Sequence, residues 1–127
     1  MARIVLIDGD ATTLQITQSL LEADVHEVIA FQNGPDSLEA VYRMYAQVTT
    51  AEVIIIHLQV SGVGTLEFIQ AVRADMRPLI RDVLIILTAQ DFSRETGRAG
   101  VMAGADLVLP NPCDYLIRAL NRLLDRR

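Results

Sequence analysis

Five short apolar runs recur along the chain: IVLI at 4–7, EVIAF at 27–31, VIII at 53–56, VLIIL at 83–87 and LVL at 107–109. They follow one another at intervals of roughly 22–30 residues. Each is short, rich in β-branched residues and bounded by polar or turn-forming residues, which favours strand over helix. The first, third and fourth are apolar at every position instead of alternately. A strand reads that way when both its faces are covered, as in a parallel sheet.

The stretches between these runs carry helical spacing. Leu38, Val41, Tyr42 and Tyr45 fall at i, i+3, i+4 and i+7, and Leu116, Leu120, Leu123 and Leu124 repeat a one-sided stripe near the C-terminus. Leu14, Leu20 and Leu21, and then Leu66, Ile69 and Val72, mark two more. All four stripes read as core-facing. A further helix over Arg94–Ala103 is the weakest, because it contains Gly97 and Gly100 and each interior glycine costs about 1 kcal/mol against alanine. Gly104 is placed to end it. Asn33-Gly34-Pro35 reads as a turn with Pro35 at the first position of the second helix, and His26 is expected at the surface or a strand edge.

Strand and helix alternating five times in 127 residues imply one α/β domain over 1–127. For so small a domain the flavodoxin-like, doubly wound parallel sheet of order 2-1-3-4-5 with five helices and right-handed crossovers fits best. Strands 1 and 3 are then neighbours whose connections leave on opposite faces, and ligands bind beyond the carboxyl ends of the strands at that switch point.

Composition narrows the function. An apolar fraction of 51% argues against disorder. No apolar run reaches the ~18 residues of a membrane span, and MARIVLIDGD has no signal-peptide pattern. A soluble cytoplasmic protein without membrane association is the expectation. The single Cys113 leaves no internal disulfide framework or cysteine-built zinc site. A formal charge of -5 with no long basic run weakens direct nucleic-acid binding. The chain has no lysine, so its 11 basic residues are all arginine.

Four strand ends meet at the expected switch point: Asp8-Gly9-Asp10 after strand 1, His57 after strand 3, Thr88-Ala89 after strand 4 and Pro110-Asn111-Pro112 after strand 5. Taken with their surroundings, these segments resemble the receiver domain of two-component response regulators from end to end. IVLIDGDATTL resembles the family's first strand with its acidic cluster, and VIIIHLQVSGVGTLEFIQAVR its third strand and loop. VLIILTAQD resembles the fourth strand with Thr-Ala, and GADLVLPNPCD the Gly-Ala-Asp segment, fifth strand and Lys-Pro.

The departures carry the functional argument. The resemblance implies a phospho-accepting aspartate where this chain has His57. It implies a second, Mg²⁺-binding acid where Gly9 stands, a lysine for the phosphoryl oxygens where Asn111 stands, and an aromatic switch residue where Val108 stands. Asp8 and Thr88 match in place, and Asp10 is a displaced acid. The resemblance also implies a cis bond before Pro112. Phosphoryl transfer to a carboxylate needs the nucleophile, a hard divalent cation on oxygen ligands and positive charge on the equatorial oxygens. The expectation is an atypical, or pseudo-, receiver without aspartyl phosphorylation, with no cofactor and no catalytic residue.

His57 itself admits several readings. It can fill the space and hydrogen-bond Asp8 or Asp10, an imidazolium replacing the charge of Mg²⁺. It can join Asp8 and Asp10 in a weak Zn²⁺ or Mn²⁺ site, carry phosphohistidine, or sense pH. Asp8-x-Asp10 followed by Thr88 also fits a small metal-dependent phosphatase of haloacid-dehalogenase type, with Asp8 as nucleophile and Asp10 as acid/base. That reading lacks the lysine, the later acidic pair and a cap domain. The main expectation is a signalling module with a protein partner, such as an output domain or kinase. It would bind over a switch face of Phe92, Arg94, Arg98, Met102, Val108, Tyr115 and Arg118, which also admits a homodimer.

Overall fold

All five apolar runs form strands. In the computed structural model, residues 2–32, 51–58, 64–90, 92–111 and 114–126 are described. In chain order the elements are β1 (Arg3–Ile7), α1 (Ala11–Ala23), β2 (Glu27–Phe31), β3 (Val53–His57), α2 (Thr65–Arg73) and α3 (Pro78–Arg81). There follow β4 (Leu84–Ala89), α4 (Arg94–Ala103), β5 (Leu107–Pro110) and α5 (Leu116–Asp125). The sheet is parallel throughout in the order β2-β1-β3-β4-β5, the doubly wound order expected from the sequence. The helix expected over Leu38–Tyr45, the Asn33-Gly34-Pro35 turn, Pro112 and Cys113 lie outside the described residues. No helix among the described residues is long and apolar enough to cross a membrane.

The unbroken apolar runs are explained by two core layers. Val5 and Ile7, Ile54 and Ile56, and Ile85 and Leu87 pack on one face against Phe68, Ile69 and Val72 of α2, Ile80 of α3 and Ala103 of α4. The alternate residues Ile4 and Leu6, Val53 and Ile55, and Ile86 pack on the other face with Leu21 of α1 and Leu116 and Leu120 of α5. Successive strand side chains point to opposite faces, so covering both faces makes every position apolar.

One element was absent from the sequence reading. The single turn α3 opens with Pro78 at its first position and buries Ile80. One turn is too short to show periodicity, and Pro78 was its only sequence signal.

The two glycines of α4 differ. A Cβ on Gly97 would meet nothing within 4 Å, whereas one on Gly100 would stand 2.7 Å from both Leu87 Cδ2 and Val108 Cγ2. Gly100 is therefore the point at which α4 sits closest to the sheet, and only Gly97 is a pure helix cost. Gly104 ends α4 as expected, at φ 124°.

At the amino ends of the strands, Arg73 bridges two connections, α3–β4 and α4–β5. Its Nε donates to Gly104 O at 2.8 Å, Nη1 to the carbonyls of Arg81 and Val83 at 2.6 Å each, and Nη2 to Asp106 Oδ2 at 2.9 Å. Asp106 Oδ2 in turn accepts the Ile85 amide at 2.8 Å. His26 corrects the sequence reading, since it is buried at this same end. Its Nδ1 accepts the Ala2 amide at 3.1 Å, and its Nε2 lies 3.2 Å from Asp24 Oδ2 at an angle unfit for a hydrogen bond. The chain leaves α1 through Val25 at φ 67°, which swings the ring inward.

Candidate functional site

The carboxyl ends of β1, β3, β4 and β5 bring Asp8, His57, Thr88 and Asn111 to one rim, as the switch-point argument requires. Asp8 is buried, and its Oδ1 accepts the Asp10 amide at 2.9 Å. That bond turns the chain into α1, where Asp10 caps the helix by accepting the Thr13 amide at 3.1 Å and the Thr13 hydroxyl. The Thr13 hydroxyl, then its amide, hold the Asp10 carboxyl below its ordinary range. Gly9 adds no side-chain donor; its carbonyl accepts from Gln32 Nε2 at 3.3 Å.

His57 stands opposite Thr88 in the β3–β4 register. Its Nδ1 lies 3.3 Å from Thr88 Oγ1 and 3.2 Å from Asn111 Nδ2. An amide nitrogen can only donate, so Nδ1 is the acceptor and carries no proton in this arrangement. This corrects the expected hydrogen bond to Asp8 or Asp10. The imidazole turns toward β4 and β5, because Asp8 is engaged in the β1–α1 turn and Asp10 in capping. A charged ring replacing Mg²⁺ would set an N–H against the Asn111 donor.

Thr65, the first residue of α2, was not singled out in the sequence. Its buried hydroxyl donates to His57 O at 3.1 Å and Leu58 O at 2.5 Å, fixing the exit from β3. The Thr-Leu-Glu string offered only the family-like Gly-Leu-Glu echo.

Metal ligation was tested against the donor set. Among the described residues no group of three or more His, Cys, Asp or Glu side chains could hold a metal ion. The weak Asp8, Asp10 and His57 site is therefore not formed: Nδ1 points to Thr88 and Asn111, and Thr13 occupies Asp10. For Mg²⁺, Asp8 is the one suitably placed carboxylate, Gly9 supplies nothing, and the residues do not fit the ion.

The switch-face residues separate into two groups. Phe92, Arg94, Arg98, Met102, Tyr115 and Arg118 are exposed, with Met102 80% accessible. Val108 is half-buried beneath Gly100 and is a packing residue. A groove of about 310 Å³ beside β5 is lined by Leu107, Leu109, Tyr115, Arg118, Arg122 and Arg126, among others. The sequence reading passed over Arg122 and Arg126; their i+4 and i+8 spacing from Arg118 was the available signal. Arg94, Arg98, Arg118, Arg122 and Arg126 make no ion pair among the described residues, whereas Arg3, Arg73, Arg77 and Arg81 each do.

No family model and no curated protein matches the chain. Solved structures do. The chemotaxis response regulator CheY4 of Vibrio cholerae is 25% identical, with TM-score 0.82 over 97% of this chain and 98% of that one. A putative response regulator from Chloroflexus aurantiacus is 21% identical, with TM-score 0.84 over 98% of each chain. The BeF3-activated DrrB receiver domain is 21% identical, with TM-score 0.80 over 99% of each.

Proposed function

We propose, from the premise of a receiver fold with histidine at the phospho-acceptor position, that this chain signals by protein–protein contact without being phosphorylated. The observation that carries the reading is the use of His57 Nδ1 by Thr88 and Asn111. At that position there is no carboxylate to attack a phosphoryl donor. Nor is there an ammonium at Asn111 to take up charge on its oxygens. With the phosphoryl switch gone, a partner selects the conformation through its own differential affinity. The surface of α4, β5 and α5 supports that role. It combines exposed Phe92, Met102 and Tyr115 with arginines that make no ion pair among the described residues, residue types that anchor interfaces. The arginines favour a protein partner that presents carboxylates. The same face serves a homodimer only if acidic groups elsewhere on the chain meet it.

The test is NMR of the labelled chain with acetyl phosphate or beryllofluoride plus Mg²⁺. No change in amide shifts is expected. The Gly9→Asp, His57→Asp, Asn111→Lys variant is expected to regain a Mg²⁺-dependent response. A Mg²⁺-dependent acyl phosphate on the unaltered chain, caught by mass spectrometry, overturns the reading.

A further inference from the structure

The rim opens into a cleft of about 650 Å³ that runs between α1 and α5. Small-molecule sites fall at ~300–1,000 Å³ with mostly apolar walls and a few polar groups. Here the walls are Ile16 and Leu20 of α1 and Leu116 and Ile117 of α5. Ile16 and Leu20 are 57% and 52% exposed, so the α1 wall is apolar surface left in water. Among the described residues the charged side chains lining the cleft are Asp8, Asp10 and Asp114, and none is an arginine.

Two largely buried polar residues line the mouth. Asp8 is 5% exposed, and among the described residues only its Oδ1 meets a donor, the Asp10 amide. His57 is 9% exposed, and its Nε2 has no hydrogen-bond partner among the described residues. An ammonium donating to the Asp8 carboxylate makes a charge-assisted hydrogen bond, about twice as strong as a neutral one.

We propose that this cleft binds an organic cation with an apolar body, its ammonium at Asp8 and its hydrocarbon between α1 and α5. An organic head fits better than a metal ion because these side chains do not form a metal-holding group. A carboxylate or phosphate head would face the like charge of Asp8 and Asp10. The inference goes beyond partner docking, since the cleft opens on α1 and not on α4.

The experiment titrates the labelled chain with octylammonium, octanoate and octanol, each below its micelle concentration. Octylammonium alone is expected to give saturable shifts at the amides of Asp8, Ile16, His57, Thr88 and Ile117. Affinity is expected to rise about fourfold per methylene from hexyl- to octylammonium. Asp8→Asn is expected to weaken binding about tenfold, and Ile16→Gln to weaken it through the tail. Equal shifts with octanoate or octanol overturn the proposal, as does the absence of saturable shifts with octylammonium. Should Asp8→Asn fail to fold, the exposed Ile16→Gln variant and the octanoate control decide between these outcomes.

Discussion

At the amino ends of β4 and β5 one guanidinium makes four hydrogen bonds of 2.6 to 2.9 Å. At the carboxyl ends of the same strands, His57, Thr88 and Asn111 share two contacts of 3.2 and 3.3 Å between neutral groups. Charge-assisted bonds are shorter and roughly twice as strong as neutral ones. The sheet is therefore fastened at the end away from the rim. The difference teaches why the rim tolerates histidine, glycine and asparagine where the receiver resemblance implies other residues: little of the fold depends on it.

The strongest way to break that comparison is Arg73→Ala. It removes a donor from three carbonyls and from Asp106, and is expected to cost about 3 kcal/mol in urea unfolding. Arg73→Lys should recover little, because an ammonium cannot reproduce the planar fork. A cost below ~1 kcal/mol would mean that the amino end is not the fastening. Gly100→Ala comes next, at about 1–3 kcal/mol of destabilisation, because its methyl group must displace Leu87 and the stiff Val108. Gly97→Ala sharpens the point with the opposite sign, a gain of about 0.5–1 kcal/mol, since nothing stands in its way. At the rim, Asn111→Ala should cost only ~0.5–1 kcal/mol, the worth of a neutral hydrogen bond.

The smallest effect is acid dependence from Asp10. Its folded pKa lies below its ordinary 3.8, so its contribution is present above that value and is lost as pH falls through the folded one. Asp10→Ala should lower the midpoint of thermal unfolding at pH 7 and shrink that difference below pH 3.8. An unchanged difference would show that the cap acts through geometry alone.

Much of this was legible in the sequence. Strand positions, sheet order and the gathering of Asp8, His57, Thr88 and Asn111 follow from unbroken apolar runs and from topology. What the sequence hid were choices of partner. His57 had carboxylates and neutral groups within reach of one rim, and only coordinates show Asp8 and Asp10 drawn off into the start of α1. Arg73 gave no sign of its role, because its four acceptors lie 8 to 33 residues further along the chain. His26 looked superficial because a residue after a polar turn ordinarily is, and Val25 at φ 67° gives no sign of itself in the sequence.

The placement of β1 inside the sheet, between β2 and β3, has a consequence for synthesis. Once translated, β1 finds β2 soon, but its other edge stays open until Val53–His57 have been translated. During that interval IVLI presents unpaired amides and carbonyls on an apolar ribbon, the kind of surface that recruits other nascent chains. Slowing elongation before residue 53 should therefore lower the soluble yield of this protein more than slowing it after β3 is complete.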